Sequence, residues 1–187
     1  MRHGSMRLVA APFLVAMFCA SGLHAASPPP APPVFAPAGA KLTWSERVNG
    51  VSRGGTITIA GQDGLIGKYR NKKGEARQVL VGCQPCFGAT SAPEGFDALW
   101  PLAVGNVVSY ELDTPDKRLK LRSEVVAAET VTLASGAFET FVIETTGGGG
   151  LVSRSWYAPS VGWVVRVHET AGSGYSYDGE VVAIERP

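Results

Sequence analysis

Two phrases near the C-terminus constrain the fold more than any other feature of the chain. One spans residues 131–144 with its turn at Ser135-Gly136, and the other spans residues 155–167 with its turn at 159–162. In both, turn-forming residues separate two runs rich in β-branched and aromatic side chains, which is the pattern of an antiparallel hairpin. Together they favour an antiparallel sheet over a cleft built of catalytic side chains.

The same alternation continues through most of the chain. Short β-favouring segments recur from Leu42 to Ile184, and Gly-rich turns such as residues 61–64 separate them. Helical periodicity is scarce, and residues 82–101 form an irregular stretch in the middle. The predicted fold class is all-β: an antiparallel meander of about nine strands that forms a curved sheet or an open barrel, with a β-sandwich as the alternative.

The first predicted strand contains one irregularity. Leu42, Trp44 and Val48 fall on one side of it, because successive side chains of a strand point to opposite faces. Glu46 falls on that same side and interrupts the apolar row. A carboxylate therefore stands where the pattern predicts an apolar residue.

The N-terminus has the pattern of a secretory signal peptide. A basic region precedes residues 8–20, which are uncharged, mostly apolar and too short to span a bilayer comfortably. Small residues at 25–26 predict cleavage there, so residues 1–26 are expected to be removed and the mature protein to be periplasmic or secreted. The alternative is an uncleaved membrane anchor. Lipid attachment at Cys19 is disfavoured by the bulky Phe18 before it.

The mature chain divides into a linker and one domain. Residues 27–40 are rich in Pro and Ala, a composition that favours extended polyproline conformation and predicts a linker. Residues 41–187 are predicted to form a single all-β domain, which is within the usual size range for one hydrophobic core. No segment after the signal peptide is long and apolar enough to be predicted as a membrane span.

The charge of the mature chain argues against nucleic acid as a partner. Cleavage after residue 26 removes two of the 17 Lys and Arg residues and none of the 16 Asp and Glu residues, which leaves 15 basic against 16 acidic side chains. The basic residues form no block. Nucleic acids and anionic membrane surfaces both require such a positive patch, so neither is predicted to bind.

Cys83 and Cys86 form the clearest functional spacing in the sequence. Their C-x-P-C pattern is similar to that of thioredoxin-like redox sites, but Phe87 and the residues after it do not favour the helix that such sites need. In an oxidising compartment we expect a structural disulfide, with a redox or sensing pair and a metal contact as alternatives. Phe87 replaces the histidine of a haem-attachment motif, and His168 alone cannot complete a zinc site, so no cofactor is predicted.

The sequence predicts no catalytic constellation. His168 lies in the middle of a predicted strand, where we expect it to face solvent, and no G-x-S-x-G motif accompanies it. Asp113 and Asp116 flank Pro115 in a turn, where aspartate serves local hydrogen bonding. The protein is therefore not expected to be an enzyme.

Five aromatic residues are candidates either for the mouth of a ligand site or for the core. Tyr175 and Tyr177 share one face of a predicted strand, where they could line such a mouth. The other three candidates are Trp100, Trp156 and Tyr157. For Tyr175 and Tyr177, packing in the core or at its rim is favoured over a ligand mouth.

Three phrases between residues 99 and 168 resemble a known group of proteins. They are Leu99-Trp100-Pro101-Leu102 with Val104-Gly105 and Tyr110, then residues 134–138, then Trp156-Tyr157-Ala158-Pro159 with Val161-Gly162. In this order they are similar to the W-P-L…V-G…Y, A-G-x-F and W-Y-A-P-x-V-G phrases of uncharacterised proteobacterial periplasmic or lipoprotein-like β domains. The resemblance implies a secreted or lipid-anchored antiparallel β domain, and it implies no catalytic residues.

These observations favour binding over catalysis. A curved sheet offers a sheltered face on which an apolar small molecule, a lipid or an envelope protein could bind. One alternative is an envelope thiol–disulfide redox or sensing protein that uses Cys83 and Cys86. Another is a structural or assembly module tethered through residues 27–40.

Overall fold

The strands of the protein account for most of the chain that the structure describes. The computed structural model describes residues 29–114, 118–172 and 174–187, so the predicted signal peptide, residues 1–26, lies outside the described residues. The described residues form ten strands: β1 (Lys41–Val48), β2 (Val51–Asp63), β3 (Ile66–Arg70), β4 (Ala76–Leu80), β5 (Val107–Asp113), β6 (Arg118–Leu133), β7 (Gly136–Gly147), β8 (Leu151–Ala158), β9 (Trp163–Ala171) and β10 (Tyr175–Glu185). Short 3-10 turns occur at Gln84–Cys86, Phe96–Leu99 and Gly148–Gly150.

The strands form one antiparallel sheet in the order β4-β3-β2-β1-β10-β9-β8-β7-β6-β5. Strands that follow each other in sequence pair as neighbours, except β4 and β5, which are the two edge strands and are connected by residues 81–106. The sheet is continuous because β1 pairs with β10. The predicted antiparallel meander is confirmed. It has ten strands in a single open sheet, so the sandwich alternative is wrong.

The sheet is strongly curved. The Ser135 hydroxyl, in the turn between β6 and β7, donates a hydrogen bond of 2.6 Å to the carbonyl oxygen of Val181 on β10. In a flat sheet β6 and β10 would lie about 19 Å apart, since neighbouring strands are spaced by about 4.8 Å. Curvature of the sheet therefore brings these strands together.

The two faces of the sheet differ in chemistry. The inner face, which encloses the core, carries the buried side chains of Leu42, Val165 and Val167. The outer face carries polar side chains such as Arg166 and His168 at the alternate positions of β9.

The described part of the predicted linker lies against the sheet. Ala31 exchanges two backbone hydrogen bonds with Leu102, of 3.1 and 2.7 Å. Phe35 is only 8% exposed, and its ring centroid is 4.9 Å from that of Trp163. Residues 29–40 therefore pack with the domain rather than standing apart from it, because Phe35 supplies an apolar side chain that the Pro- and Ala-rich composition conceals.

Two glycines make room for Phe35. A Cβ atom at Gly67 would lie 2.0 Å from the Phe35 ring, and one at Gly162 would lie 2.5 Å from the Phe35 carbonyl carbon. Gly162 also has a φ of +69°, a conformation that glycine adopts without steric cost. The turn between β8 and β9 is thus fixed to the segment that precedes β1, since the Ala36 N–H donates to the Gly162 carbonyl oxygen at 2.9 Å.

Residues 81–106 form part of the core as they pass from β4 to β5. Phe96, Leu99 and Leu102 are completely buried, and the Phe96 ring lies 4.9 Å from that of Tyr110 on β5. The irregular stretch predicted at 82–101 is therefore a packed element that covers part of the inner face.

Candidate functional site

A cavity of about 430 Å³ opens on the inner face of the sheet. Its walls come from β1, β2, β3, β9 and β10 and from the segment that follows β4. Six aromatic rings line it: Trp44, Tyr69, Phe87, Trp163, Tyr175 and Tyr177. The structure thus brings Tyr175 and Tyr177, two of the five aromatic candidates for a ligand mouth or the core, to an aromatic cavity.

The register of the central strands explains this arrangement. Trp44 and Glu46 are two residues apart on β1, so they face the same side of the sheet. Glu169 on β9 lies directly opposite Tyr177 on β10, and β10 pairs in turn with β1. The pairing of β10 with β9 therefore places Glu169 beside the tyrosines, and the pairing of β10 with β1 places Glu46 there.

Two glycines keep space open in and beside the cavity. Gly55 faces Trp44 across the β1–β2 pair, and a Cβ atom there would meet the Lys72 side chain at 2.8 Å. A Cβ atom at Gly179 would lie 2.7 Å from the Tyr177 hydroxyl oxygen, so the tyrosine side chain lies over this glycine. Glycine in a strand commonly marks such a close approach.

The segment after β4 forms one wall of the cavity. Gln84 and Pro85 line it from the turn between the two cysteines, and Phe87 lies 6.1 Å from Tyr69, ring centroid to ring centroid. Tyr69 and Trp163 lie 5.7 Å apart at an interplanar angle of 81°, so two walls of the cavity are perpendicular rings. Gln84 is 6% exposed, and its side chain makes no hydrogen bond to any residue in the described ranges.

Cys83 and Cys86 form a disulfide that supports this wall from behind. Their Cα atoms are 5.3 Å apart, and the two residues are 2% and 0% exposed. The Tyr110 hydroxyl lies 3.5 and 3.6 Å from the two sulfurs and 3.0 Å from the Ser123 hydroxyl. Thiol exchange requires access to a sulfur atom, so this buried position favours a structural role over a redox one.

The tyrosines of the protein fall into two groups. The core residues Tyr110 and Tyr157 use their hydroxyls in hydrogen bonds, to Ser123 and to the backbone of Val34. By contrast, Tyr69, Tyr175 and Tyr177 make no side-chain hydrogen bond within the described part of the chain. Three hydroxyl groups at the cavity therefore retain their hydrogen-bonding capacity for a ligand.

Burial and negative charge set the electrostatics of the cavity. Burial raises the pKa of Tyr69 to about 12 and also raises the pKa values of Tyr175 and Tyr177. The carboxylates of Glu46 and Glu169 add to the effect on both of the latter residues, which places these charges near their hydroxyls. Burial likewise raises the pKa of Glu169 above its ordinary value, because a carboxylate loses hydration there.

Two of the other aromatic candidates lie in the core. Tyr157 is fully buried, and its hydroxyl donates to the carbonyl oxygen of Val34. Trp100 packs against it with ring centroids 5.4 Å apart. These two residues hold the segment before β1 and the segment before β5 against β8.

Trp156 has a different environment. Its Nε1 donates a hydrogen bond of 2.5 Å to Glu129 Oε1, and the Arg166 guanidinium lies 5.9 Å from its ring centroid. Neighbouring residues of a strand point to opposite faces, and Arg166 belongs to the outer face. Trp156 is therefore separated from the cavity by the sheet.

His168 lies on the outer face of the sheet, as the sequence predicts. His168 Nδ1 lies 2.7 Å from Asp178 Oδ1, and both side chains are more than half exposed. No serine of the described residues hydrogen-bonds to this histidine, so a Ser-His-Asp relay is not assembled there. Among the same residues no group of three or more His, Cys, Asp and Glu side chains could hold a metal ion.

Most of the cavity was not predicted from the sequence. The sequence places Trp44 in an apolar row of the first predicted strand but not in a site, and it predicts no site role for Tyr69, Trp163 or Glu169. The available signal was Glu46, the carboxylate that interrupts an apolar row. A charged residue at such a position indicates either a defect in the pattern or a polar lining, and the cavity explains it as lining.

Comparisons with known proteins give matches in structure alone. No protein-family model matches the chain, and none of the curated proteins matches its sequence. No helix of the described residues is long and apolar enough to cross a membrane.

Three solved structures are similar to this chain at low identity. A Bacteroides fragilis protein described as exported and as having a YmcC-like fold is 14% identical, covers 83% of this chain and 100% of its own, and has a TM-score of 0.45. A Parabacteroides distasonis protein described as a lipoprotein is 12% identical over 83% of this chain and 99% of its own, with a TM-score of 0.45. The hypothetical lipoprotein YmcC from Escherichia coli is 12% identical over 80% of this chain and 88% of its own, with a TM-score of 0.49.

Proposed function

We propose that the mature protein is a non-catalytic binding protein of the cell envelope, and that the aromatic cavity holds a small, largely apolar ligand. The observation that carries this proposal is the cavity of about 430 Å³, which aromatic rings enclose on the inner face of the sheet. Ligand sites are typically concave and mostly apolar, with a few polar groups that orient the ligand. The hydroxyls of Tyr69, Tyr175 and Tyr177 supply such groups.

Two further features support binding rather than structural packing. Core aromatics normally fill the space they enclose, whereas these rings leave a volume in which a small molecule fits. The hydroxyls at the cavity also differ from those of Tyr110 and Tyr157, whose hydrogen bonds are made within the protein. The signal peptide predicted at residues 1–26 would deliver the mature domain to the periplasm.

The redox alternative has weaker support. Both sulfurs of the Cys83–Cys86 disulfide are buried behind the cavity wall, where a thiol reagent has no direct access. The disulfide instead supports the position of Gln84 and Pro85, which lie between the two cysteines and line the cavity. Its proposed role is therefore to fix the shape of the site.

Filling the cavity tests the proposal. N-phenyl-1-naphthylamine is a neutral apolar dye whose fluorescence rises in apolar surroundings, and we expect saturable 1:1 binding to the wild-type protein. In the Gly55→Leu variant the new side chain displaces the Lys72 side chain, whose Cδ lies 2.8 Å from the position of the added Cβ atom, and it occupies part of the cavity. We therefore expect affinity to fall by about tenfold or more.

Gly148→Leu is the matched control. Gly148 is exposed, no atom lies within 4 Å of a Cβ atom placed there, and its φ imposes no strain on a larger residue. This variant should bind the dye as the wild type does. Absence of saturable binding to the wild type, or equal affinities for a folded Gly55→Leu variant and the control, would contradict the proposal.

A further inference from the structure

The polar groups of the cavity have an unbalanced charge. Glu46 and Glu169 both line it, and neither forms an ion pair within 4 Å in the part of the chain that the structure describes. The negative charges of both residues raise the pKa of Tyr175 and of Tyr177, which lie on β10. The two carboxylates therefore reach the cavity from β1 and β9, the strands on either side of β10. Both residues are partly buried. A carboxylate that loses hydration without gaining a cationic partner is destabilised, and a cation that binds beside it removes this cost.

Lys72 does not neutralise these carboxylates. It is the basic side chain of the lining, and its Nζ donates to the Gly54 carbonyl oxygen on β2 at 3.3 Å. Two carboxylates against one ammonium group leave a net negative charge of one in the lining of the cavity. Arg77, which lies opposite Tyr69 on β4 and acts to lower the pKa of that residue, is outside the lining and is paired with Glu75 at 2.5 Å. The electrostatic potential of the cavity therefore favours a cation.

The aromatic rings favour the same class of ligand. Indole and phenol rings carry negative charge on their faces, and several rings around one volume attract an ammonium group. Tyr69 and Trp163 pack edge to face at 81°, with their ring centroids 5.7 Å apart, so a ligand in the cavity beside them contacts two rings at once. The neighbouring rings of Trp44, Tyr175 and Tyr177 extend this enclosure.

We infer that the ligand is an organic cation, whose ammonium group lies beside Glu46 and Glu169 and whose apolar body packs against Trp44, Tyr69 and Trp163. This inference rests on the proposed binding function and specifies its ligand class. Gln84, a residue that is 6% exposed and whose amide has no hydrogen-bond partner among the described residues, supplies a further polar contact at the wall. The aromatic rings bind the apolar body, and the carboxylates select its charge.

A pair of ligands with the same shape isolates the effect of charge. Benzyltrimethylammonium carries a quaternary nitrogen, and neopentylbenzene is its neutral carbon isostere. The affinity of each for the mature wild-type protein is measured at low salt by quenching of tryptophan fluorescence. We expect the cation to bind at least about tenfold more tightly than the isostere, and added NaCl to reduce this preference.

Three variants assign the preference to the cavity. Glu46→Gln and Glu169→Gln remove one carboxylate each and keep the side-chain shape, so each should reduce the preference for the cation. Glu180→Gln removes one negative charge from the outer face of β10, where Glu180 lies 3.5 Å from Arg166, and it should leave the preference unchanged. An equal effect of all three variants would assign the preference to net charge and overturn the inference.

The outcomes separate this inference from the proposed function. If the neutral isostere binds as tightly as the cation or more tightly, the cavity binds apolar ligands and the inference of a cationic ligand is wrong. If neither compound binds, both the inference and the proposed function fail. Tighter binding of the cation that is lost in Glu46→Gln and Glu169→Gln supports both.

Discussion

Glu169 shows how a single residue of the site affects the stability of the fold. Burial raises the pKa of its carboxyl group above the ordinary value of 4.5. The folded state therefore holds this proton more tightly than the unfolded state does. By linkage, the contribution of Glu169 to stability is present at acidic pH and is lost as pH rises through the raised pKa.

The Glu169→Gln variant tests this effect. Glutamine does not titrate, so the free energy of unfolding of the variant, relative to that of the wild type, should increase between pH 4 and pH 7. Urea unfolding at several pH values measures the difference, with Glu180→Gln as the control on the exposed outer face. A difference that stays constant or decreases with pH would show that Glu169 is not buried as described. Loss of cation binding together with a gain in stability would be the usual exchange between function and stability at a binding site.

At the scale of elements, the segment before β1 packs against the sheet through Phe35. Phe35 packs against Trp163 and over Gly67, so removal of its ring should leave a cavity in the core. We expect Phe35→Ala to lower the free energy of unfolding by about 3–5 kcal/mol, as for other buried phenylalanines. Val34→Ala, at a neighbouring residue that is 41% exposed, should change it by less than about 0.5 kcal/mol. Equal, small effects of the two substitutions in urea unfolding would indicate that residues 29–40 act as a free linker.

The turn that contains the disulfide gives a second prediction at this scale. Both sulfurs are buried, so Cys83 and Cys86 should remain oxidised in a glutathione buffer for as long as the protein is folded. Alkylation of free thiols followed by mass spectrometry should detect labelled cysteines only at urea concentrations that unfold the protein. Rapid labelling of the native protein would support a redox or sensing role instead.

At the scale of the whole molecule, the sequence predicts the strands better than their assembly. Alternation identifies β1, β9 and β10 because one face of each is buried, and Gly-rich turns mark where the strands end. The pairing of β1 with β10 was not predictable, since it joins the two ends of the domain and leaves no local pattern. The cavity depends on this pairing, and for that reason its residues are scattered in the sequence.

The aromatic candidates illustrate the same limit. Tyr175 and Tyr177 were placed on one face by alternation, and this holds in the structure, where both line the cavity. Trp156 and Tyr157 are adjacent, so alternation puts them on opposite faces without deciding which one faces inward. A register shift between them in the pairing of β8 with β9 further weakens any count of alternate positions.

The four tryptophans allow a direct test of whether the aromatic cavity is the binding site, because two of them line the cavity and two lie elsewhere in the protein. Trp44 and Trp163 line the cavity, Trp100 lies in the core beside Tyr157, and Trp156 lies at the outer face. The measurement is a ¹H–¹⁵N spectrum of the indole N–H groups during titration with N-phenyl-1-naphthylamine, with signals assigned from single Trp→Phe variants. We predict saturable shifts of the Trp44 and Trp163 signals, while those of Trp100 and Trp156 stay in place. No shift of the Trp44 and Trp163 signals, or shifts confined to Trp100 and Trp156, would contradict the assignment of the aromatic cavity as the binding site.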